Sequence, residues 1–442
     1  MFFMKRLLKK LIPRWALGLY HLGLAWVAAV YYGSPSQKMI VVGVTGTSGK
    51  SSVIYFLRQI LESAGMKVGA LSTVEFCVAG SCVLNDRKMT MLGRMQIQKF
   101  LREMVDAGCG VAIVETTSEG FLQSRHRFIN YDIMVLTNLY PEHLEAHGGF
   151  ENYKAAKLGI FEYVAGCPRK TSKTLPPPRL PMGSLPLFRQ RRTGGQEGKI
   201  PKIAIVNGES EYAEEFLKFM FEKKIRFSAS DALPTPVRGE HTPSNVAAAL
   251  TVARQLGVEE SALKQAAAHL QSVPGRIELI PEAEAQGFRV IVDYAFEPVA
   301  LAALYKVVEQ LKPSRVIHVL GSCGGGRDVA ARSVKGCFAA EHADIVIVTN
   351  EDPYDDDPMQ IINDVAKGVE EIIEQQGNKE TRKQVLKILD RKEAIRKALS
   401  LARSGDMVLI TGKGSEQAMC LAGGKKIPWD DRVIVREFLH AR

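Results

Sequence analysis

Lys50 has the most chemically specific surroundings in this 442-residue chain: Gly43, Gly46 and Gly49 precede it, and Ser51 and Ser52 follow. An apolar run, Met39–Gly43, leads in like a buried strand. Val53, Phe56, Leu57, Ile60, Leu61 and Ala64 lead out at helical spacings of three and four. A strand, a glycine turn and a helix form a phosphate cradle. In it the backbone N–H groups of Gly46, Thr47, Ser48 and Gly49 close on oxygens, and the helix N-terminus adds partial positive charge. Lys50 reaches the outer phosphates, and the Ser51 hydroxyl suits Mg²⁺. The strict phosphate-loop pattern asks for glycine five positions before Gly49, where this chain has Val44. A ligand-free strand–helix turn would carry the same flanks.

Such a cradle needs elements to position it, and apolar strands alternate with helical patterns along the whole chain. The first half has strand patterns at Met39–Val44, Val111–Glu115, Ile133–Thr137 and Ile203–Asn207. The second half has Val290–Asp293, Val316–Leu320, Ile345–Thr349 and Val408–Thr411, with helices at Pro298–Gln310, Pro358–Gln375 and Lys392–Ala402. This alternation predicts an α/β fold with parallel sheets, whose ligands sit at the C-terminal strand ends. Glu115 and Asn138 fall at or just past such ends, on the edge that carries the glycine loop.

Further motifs follow in fixed order. They are Glu115-Thr-Thr-Ser118, Thr137-Asn138-Leu139, Glu142-His143-Leu-Glu-Ala-His147 and Tyr153-Lys-Ala-Ala-Lys157. Then come Val273-Pro-Gly-Arg276-Ile-Glu278, Val292-Asp293-Tyr-Ala295, Gly324-Gly-Gly-Arg327-Asp328, Asp352-Pro353 and Gly412-Lys-Gly414. Together with the three-spaced glycines, they resemble the Mur ligases, the ATP-dependent amide synthetases of peptidoglycan precursors, and within them the MurE-type tripeptide synthetases. Folylpolyglutamate synthase and cyanophycin synthetase share the loop.

The resemblance implies a central P-loop ATPase domain (39–275) and a smaller Rossmann-like C-terminal domain (276–442), preceded by a basic, apolar helix in 1–38. It also implies a reaction: ATP converts a carboxylate into an acyl phosphate, which an amine then attacks. Positioning and charge neutralisation dominate such catalysis. By resemblance, Ser51, Glu115 and His143 are Mg²⁺ ligands, as is Lys157 if carbamylated. Asn138 belongs with the nucleotide loop. Asn245 reads adenine, and Arg276 and Asp293 reach the phosphate and ribose. The amino-acid end falls to Arg327, Asp352, Pro353, Tyr354, Gly412 and Glu416. From spacing alone Lys157 is a helix-surface lysine, one turn from Tyr153, and His147 is structural.

The departures narrow the reading. MurE-type proteins begin with a uridine-binding domain, and only 38 residues precede the strand here. The family's Asp-Asn-Pro-Arg is Glu351-Asp352-Pro353-Tyr354, Gly-Lys-Gly-His-Glu ends in Ser415-Glu416, and Asp-Tyr-Ala-His ends in Phe296. The acids after Tyr354 suit a cationic amino acid or form a solvated loop. A muramoyl peptide, carried on a lipid or on UDP, is the expected acceptor. The alternatives are a MurT-like amidating ligase, a folate or polyamino-acid ligase, and an inactive nucleotide-binding scaffold.

Net charge is +10, yet residues 1–61 carry eight Lys/Arg and no acid, and 166–202 carry nine against one Glu. The remainder is therefore acidic, which excludes a basic nucleic-acid binder. Residues 166–202 also hold seven prolines and read as an exposed disordered insertion. Seven scattered cysteines without a Cys-x-x-Cys pair argue against zinc and a disulfide framework and fit a reducing cytoplasm. Lys5, Arg6, Lys9, Lys10 and Arg14 precede an apolar run, Trp15–Tyr32. A true span would carry an ATP site out of the cytoplasm, so the segment reads as a helix lying on anionic lipid or docked on the body. A monomer is expected.

Overall fold

The computed structural model describes residues 14–87, 89–141, 147–171, 198–326, 329–375 and 383–441. His143 and Arg327 lie outside them. The chain divides into two compact units. One comprises 1–85, 89–236 and 241–271; the other 86–88, 237–240 and 272–442.

The first unit runs α1 (Arg14–Tyr31), β1 (Ile40–Thr45), α2 (Lys50–Ser63), β2 (Val68–Leu71), β3 (Glu75–Val78), β4 (Ser81–Leu84), α3 (Arg94–Asp106) and β5 (Val111–Glu115). It continues through α4 (Ser118–Leu122), β6 (Ile133–Leu136), α5 (Phe150–Ala165), β7 (Ile203–Asn207), α6 (Ala213–Leu217), β8 (Lys223–Phe227), α7 (Thr242–Gln255) and α8 (Glu260–Ala268). The sheet order is β4-β3-β2-β5-β1-β6-β7-β8. Every pairing from β2 to β8 is parallel, and the β3–β4 hairpin is antiparallel. The central strands are buried throughout, and apolar up to their C-terminal ends, because helices cover both faces. β1 sits between β5 and β6, so successive connections leave it in opposite directions. The crevice at its C-terminal end is the switch point where ligands of open α/β sheets bind.

The second unit runs β9 (Glu278–Leu279), β10 (Arg289–Asp293), α9 (Pro298–Gln310), β11 (Val316–Leu320), α10 (Ala331–His342), β12 (Ile345–Thr349) and α11 (Pro358–Gln375). After these come β13 (Gln384–Ile388), α12 (Arg391–Leu401), β14 (Met407–Thr411), a β15 (Ala418–Cys420)–β16 (Lys426–Pro428) ribbon, and α13 (Asp431–His440). Its sheet order is β13-β12-β11-β14-β10-β9, antiparallel only at β9. Separate apolar clusters fill its two faces, one around Val290, Ile317 and Val408, the other around Ile291, Leu320 and Leu409. The α/β architecture read from the sequence is the one found.

Two expectations change. Cys77 and Cys82 face each other across the β3–β4 hairpin and form a disulfide, with Cα atoms 4.1 Å apart. The pair closes only when the strands fold onto each other, which cysteine spacing does not reveal. The ends of 166–202 are anchored rather than wholly exposed: Lys170 and Lys202 are both buried and both bond Asp132. Lys202 Nζ reaches Asp132 Oδ1 at 3.0 Å and Lys170 takes Oδ2, and Thr171 bridges Lys199. A buried carboxylate needs such partners, and two lysines supply them. Residues 172–197 lie outside the described residues. Docking on the body was one of the two readings of the N-terminal helix, and α1 does pack there through Ala25, Ala28 and Ala29. These continue the stripe of Gly18 and His21, of which His21 is half-buried and Gly18 exposed, so only the alanine end of that stripe packs inward.

Candidate active site

β1 ends at Thr45, and the chain turns through Gly46–Gly49 into α2. Gly46 and Gly49 have φ of 150° and 77°. A Cβ on Gly46 would overlap the Thr137 hydroxyl, and one on Gly49 the Asn245 amide oxygen. Both positions therefore require glycine. No side chain caps the start of α2, so the N–H groups of its first turn remain available to an anion.

The end of β6 holds this loop. Asn138 Oδ1 accepts from Thr47 N (3.1 Å) and Ser48 N (2.9 Å), and its Nδ2 donates to Ser48 Oγ (3.1 Å). Thr137 Oγ1 donates to Ser48 O (2.6 Å). Asn207, at the end of β7, donates to Thr137 O (2.9 Å) and Ser244 Oγ (3.3 Å), which ties in the helix that carries Asn245. Lys50 Nζ folds back to Gly46 O (3.1 Å) and Thr47 O (2.8 Å). Ser52 lies in the first turn of α2.

Glu115, buried at the end of β5, gathers three donors on one oxygen. Ser51 Oγ (3.0 Å), Thr73 N (2.7 Å) and Thr73 Oγ1 (3.0 Å) all reach Oε2. The Ser51–Glu115 pair offers two hard oxygens beside the loop, a donor set that fits Mg²⁺. Lys157 is not the surface lysine of the spacing argument. It is buried, donates to Gly46 O at 2.7 Å, and lies 4.6 Å from the Tyr153 ring centroid. His147 is buried and bonds Ser118 Oγ (3.1 Å), as a structural histidine would.

In the second unit Arg276 stacks on Tyr294 at 4.3 Å. Asp293, the last residue of β10, accepts from the N–H groups of Ile277 and Ala295, both at 2.6 Å. Burial lifts its pKa above the ordinary carboxylate value, against the pull of Arg276 and those N–H groups. Both oxygens of Asp352 take Lys413 Nζ (3.0 Å each), and Glu416 Oε2 takes the same ammonium at 2.6 Å. Tyr354, after Pro353, has a left-handed backbone and bonds Cys420 O. Gly412 runs beside the Glu351 carboxylate. The acids after Tyr354 bond local partners, Asp355 to Gly423 N, Asp356 to Arg332 and Asp357 to Met359 N, while Asp355 and Asp357 stay exposed to solvent.

Sequence reading missed Thr73 and met Thr137 and Lys413 only as members of motifs, without a role. Thr73 sits in an irregular loop and carries no signal. Lys413 stands inside a recognised motif but is wholly buried rather than open to a ligand.

The Mur ligase middle-domain family model matches residues 44–168, and the Mur ligase glutamate-ligase domain matches 275–414. A UDP-N-acetylmuramyl-tripeptide synthetase of Roseiflexus sp. (strain RS-1) is 34% identical over 435 residues, covering 94% of this chain and 81% of that protein. The chain belongs to the Mur ligase family. Another family member, the UDP-N-acetylmuramoyl-L-alanyl-D-glutamate--2,6-diaminopimelate ligase of Clostridium tetani, is 28% identical over 94% of this chain and 81% of its own. A solved structure of a ligase with that name is 25% identical, with TM-score 0.57 over 91% of this chain and 79% of that one. The Mycobacterium tuberculosis folylpolyglutamate synthase complexed with ADP shares the fold at 17% identity, with TM-score 0.61 over 88% of this chain and 91% of that one.

Proposed function

We propose that this Mur ligase is an ATP- and Mg²⁺-dependent, ADP-forming carboxylate–amine ligase that adds an amino acid to a muramoyl peptide precursor of peptidoglycan. The observation that carries the reading is the convergence at the end of β1. An uncapped helix N-terminus, Lys50 and a Ser51–Glu115 oxygen pair meet in one crevice. Residues 39–275 form the ATP-binding part in this reading and 276–442 the C-terminal ligase part.

The N–H groups of Gly49 and the first turn of α2 bind the phosphates, while Asn138, which takes Thr47 N and Ser48 N, and Thr137 keep the loop in its binding shape before the nucleotide arrives. Lys50 exchanges its two carbonyl contacts for the transferring phosphoryl oxygens. There it stabilises the charge that develops as the acceptor carboxylate displaces ADP. Ser51 and Glu115 would hold Mg²⁺, which screens phosphate charge when bound. Thr73 fixes the Glu115 oxygen for that role. The amine then attacks the acyl carbon, and phosphate leaves with the former carboxylate oxygen. Lys157 is proposed to react with CO₂ at Nζ and become a carbamate ligand, as family members do. His143 is proposed as a further metal ligand and Arg327 as an amino-acid contact. Asn245, Arg276 and Asp293 serve the nucleoside and phosphates.

In this reading the acceptor is lipid-linked, and the protein works as a monomer in the cytoplasm at the inner membrane face. Likeness to the folate enzyme extends to the fold alone, whereas likeness to muramyl-peptide ligases extends to sequence. An ADP-release screen tests the proposal, pairing candidate amino acids with soluble and lipid-linked muramoyl peptides. Acceptor-dependent ADP release with one amino acid is the expected result. Release with a pteroyl acceptor only, or no ATP binding at all, would overturn it.

A further inference from the structure

Helix α1 contains no charged residue after Arg14, yet most of it is in water. Leu19, Tyr20, Trp26, Val27, Val30 and Tyr31 are 61%, 60%, 55%, 47%, 56% and 73% exposed. At 3.6 residues per turn these positions, with Leu22 and Gly23 between them, occupy one continuous half of the cylinder. The opposite side is the Ala25, Ala28 and Ala29 stripe, which packs against α3. Soluble proteins rarely leave such a contiguous aromatic and aliphatic surface uncovered.

Two observations identify what covers it. The residues leading into the helix carry Lys5, Arg6, Lys9, Lys10 and Arg14, and no acid appears before Glu62. That charge suits an anionic surface. Tyr20, Trp26 and Tyr31 put amphipathic rings on the exposed side, the residue types that settle at a bilayer's headgroup boundary. Crossing the bilayer is not available: among the described residues no helix is long and apolar enough, and the alanine side of α1 is committed to the body.

We infer that α1 lies in the plane of an anionic lipid surface, with the Leu19–Trp26–Val30 face sunk among the acyl chains and the body held against the membrane. An ordinary interfacial helix keeps a charged face for water. Here the protein itself covers the Ala25, Ala28 and Ala29 side, so no charged face is needed on that stretch of the helix. The inference deepens the proposed function by presenting lipid-borne acceptor to the ligase. Its evidence does not depend on that reading.

Full-length protein is sedimented with vesicles of phosphatidylcholine, with and without phosphatidylglycerol. Binding is expected only with phosphatidylglycerol. Replacing Lys5, Arg6, Lys9 and Lys10 by Gln should weaken it about a hundredfold or more. Trp26→Asp with Val30→Asp should abolish it while ADP release with a soluble acceptor stays unchanged. Brominated acyl chains should quench a tryptophan signal that Trp26→Phe removes. The inference fails if the wild type ignores anionic vesicles, or if the double Asp variant binds as well as wild type. It also fails if Trp26 is not quenched, or if the Asp substitutions instead break a dimer. Vesicle binding needs no turnover, so loss of ligase activity on every acceptor would count against the proposed function and not against the docking.

Discussion

Lys50 and Lys157 both donate to the carbonyl of Gly46, and their predicted fates differ. Lys50→Ala removes a charge that acts on the transferring phosphoryl group. It should cost about 3 kcal/mol or more in transition-state stabilisation, read as a fall of two orders of magnitude or more in kcat. Because Lys50 is only partly buried, the melting temperature should hold. Near-normal turnover in a folded Lys50→Ala protein would refute the site. Lys157→Ala is the sharper test of chemistry. If the lysine works as a carbamate, the Ala variant loses turnover and regains part of it with formate or acetate, which supply the missing carboxylate. A lysine that only braces Gly46 gives no rescue. Full activity in the variant without added anion would remove Lys157 from the site.

At the scale of elements, strands with helices on both faces were legible because they are continuous apolar runs. β5, β7, β11 and β12 begin and end where the pattern places them. β3 and β4 were missed because their turn is Ala79-Gly80, both with positive φ, where the usual cue is Asn-Gly. The edge strands β8 and β13 were missed because they carry the lysines and glutamine that protect an edge. The glycine loop and Glu115 were readable because their roles depend on local motif and strand end. The burial of Lys157, Lys170 and Lys202 was not, since each meets its partner across tens of residues of sequence. Periodicity reports which face of an element a residue occupies, not what lies opposite.

At the scale of the molecule, each unit buries a histidine that it holds neutral. His126 lies between the rings of Phe121 and Tyr163, and burial, aided by Arg127, takes its pKa down to about 3. His318 bonds Tyr305 and Thr411, and burial, with Arg391 and His342, takes it also to about 3. The unfolded chain protonates these rings below about pH 6.5, while the folded chain does not. Stability is therefore full above that pH and falls as pH drops toward 3, by up to about 1.4 kcal/mol per pH unit for each ring. Urea unfolding at pH 7.5 and 5.0 should show the loss, and His126→Phe should shrink it. An unchanged pH difference in that variant would exclude His126 as a cause. A different consequence follows from the shared carboxylate of Asp132. Lys170 and Lys202 meet there, and Thr171 faces Lys199, so the residues on either side of the segment come together at one place. Thr171 and Lys199 thus close a seam at the two ends of residues 172–197. New termini opened within them, with the old ends joined by a linker, should yield a circular permutant with the parent's ATP affinity. A tight two-residue turn in their place should leave the melting temperature within a few degrees of the parent's, since loop length enters stability only logarithmically.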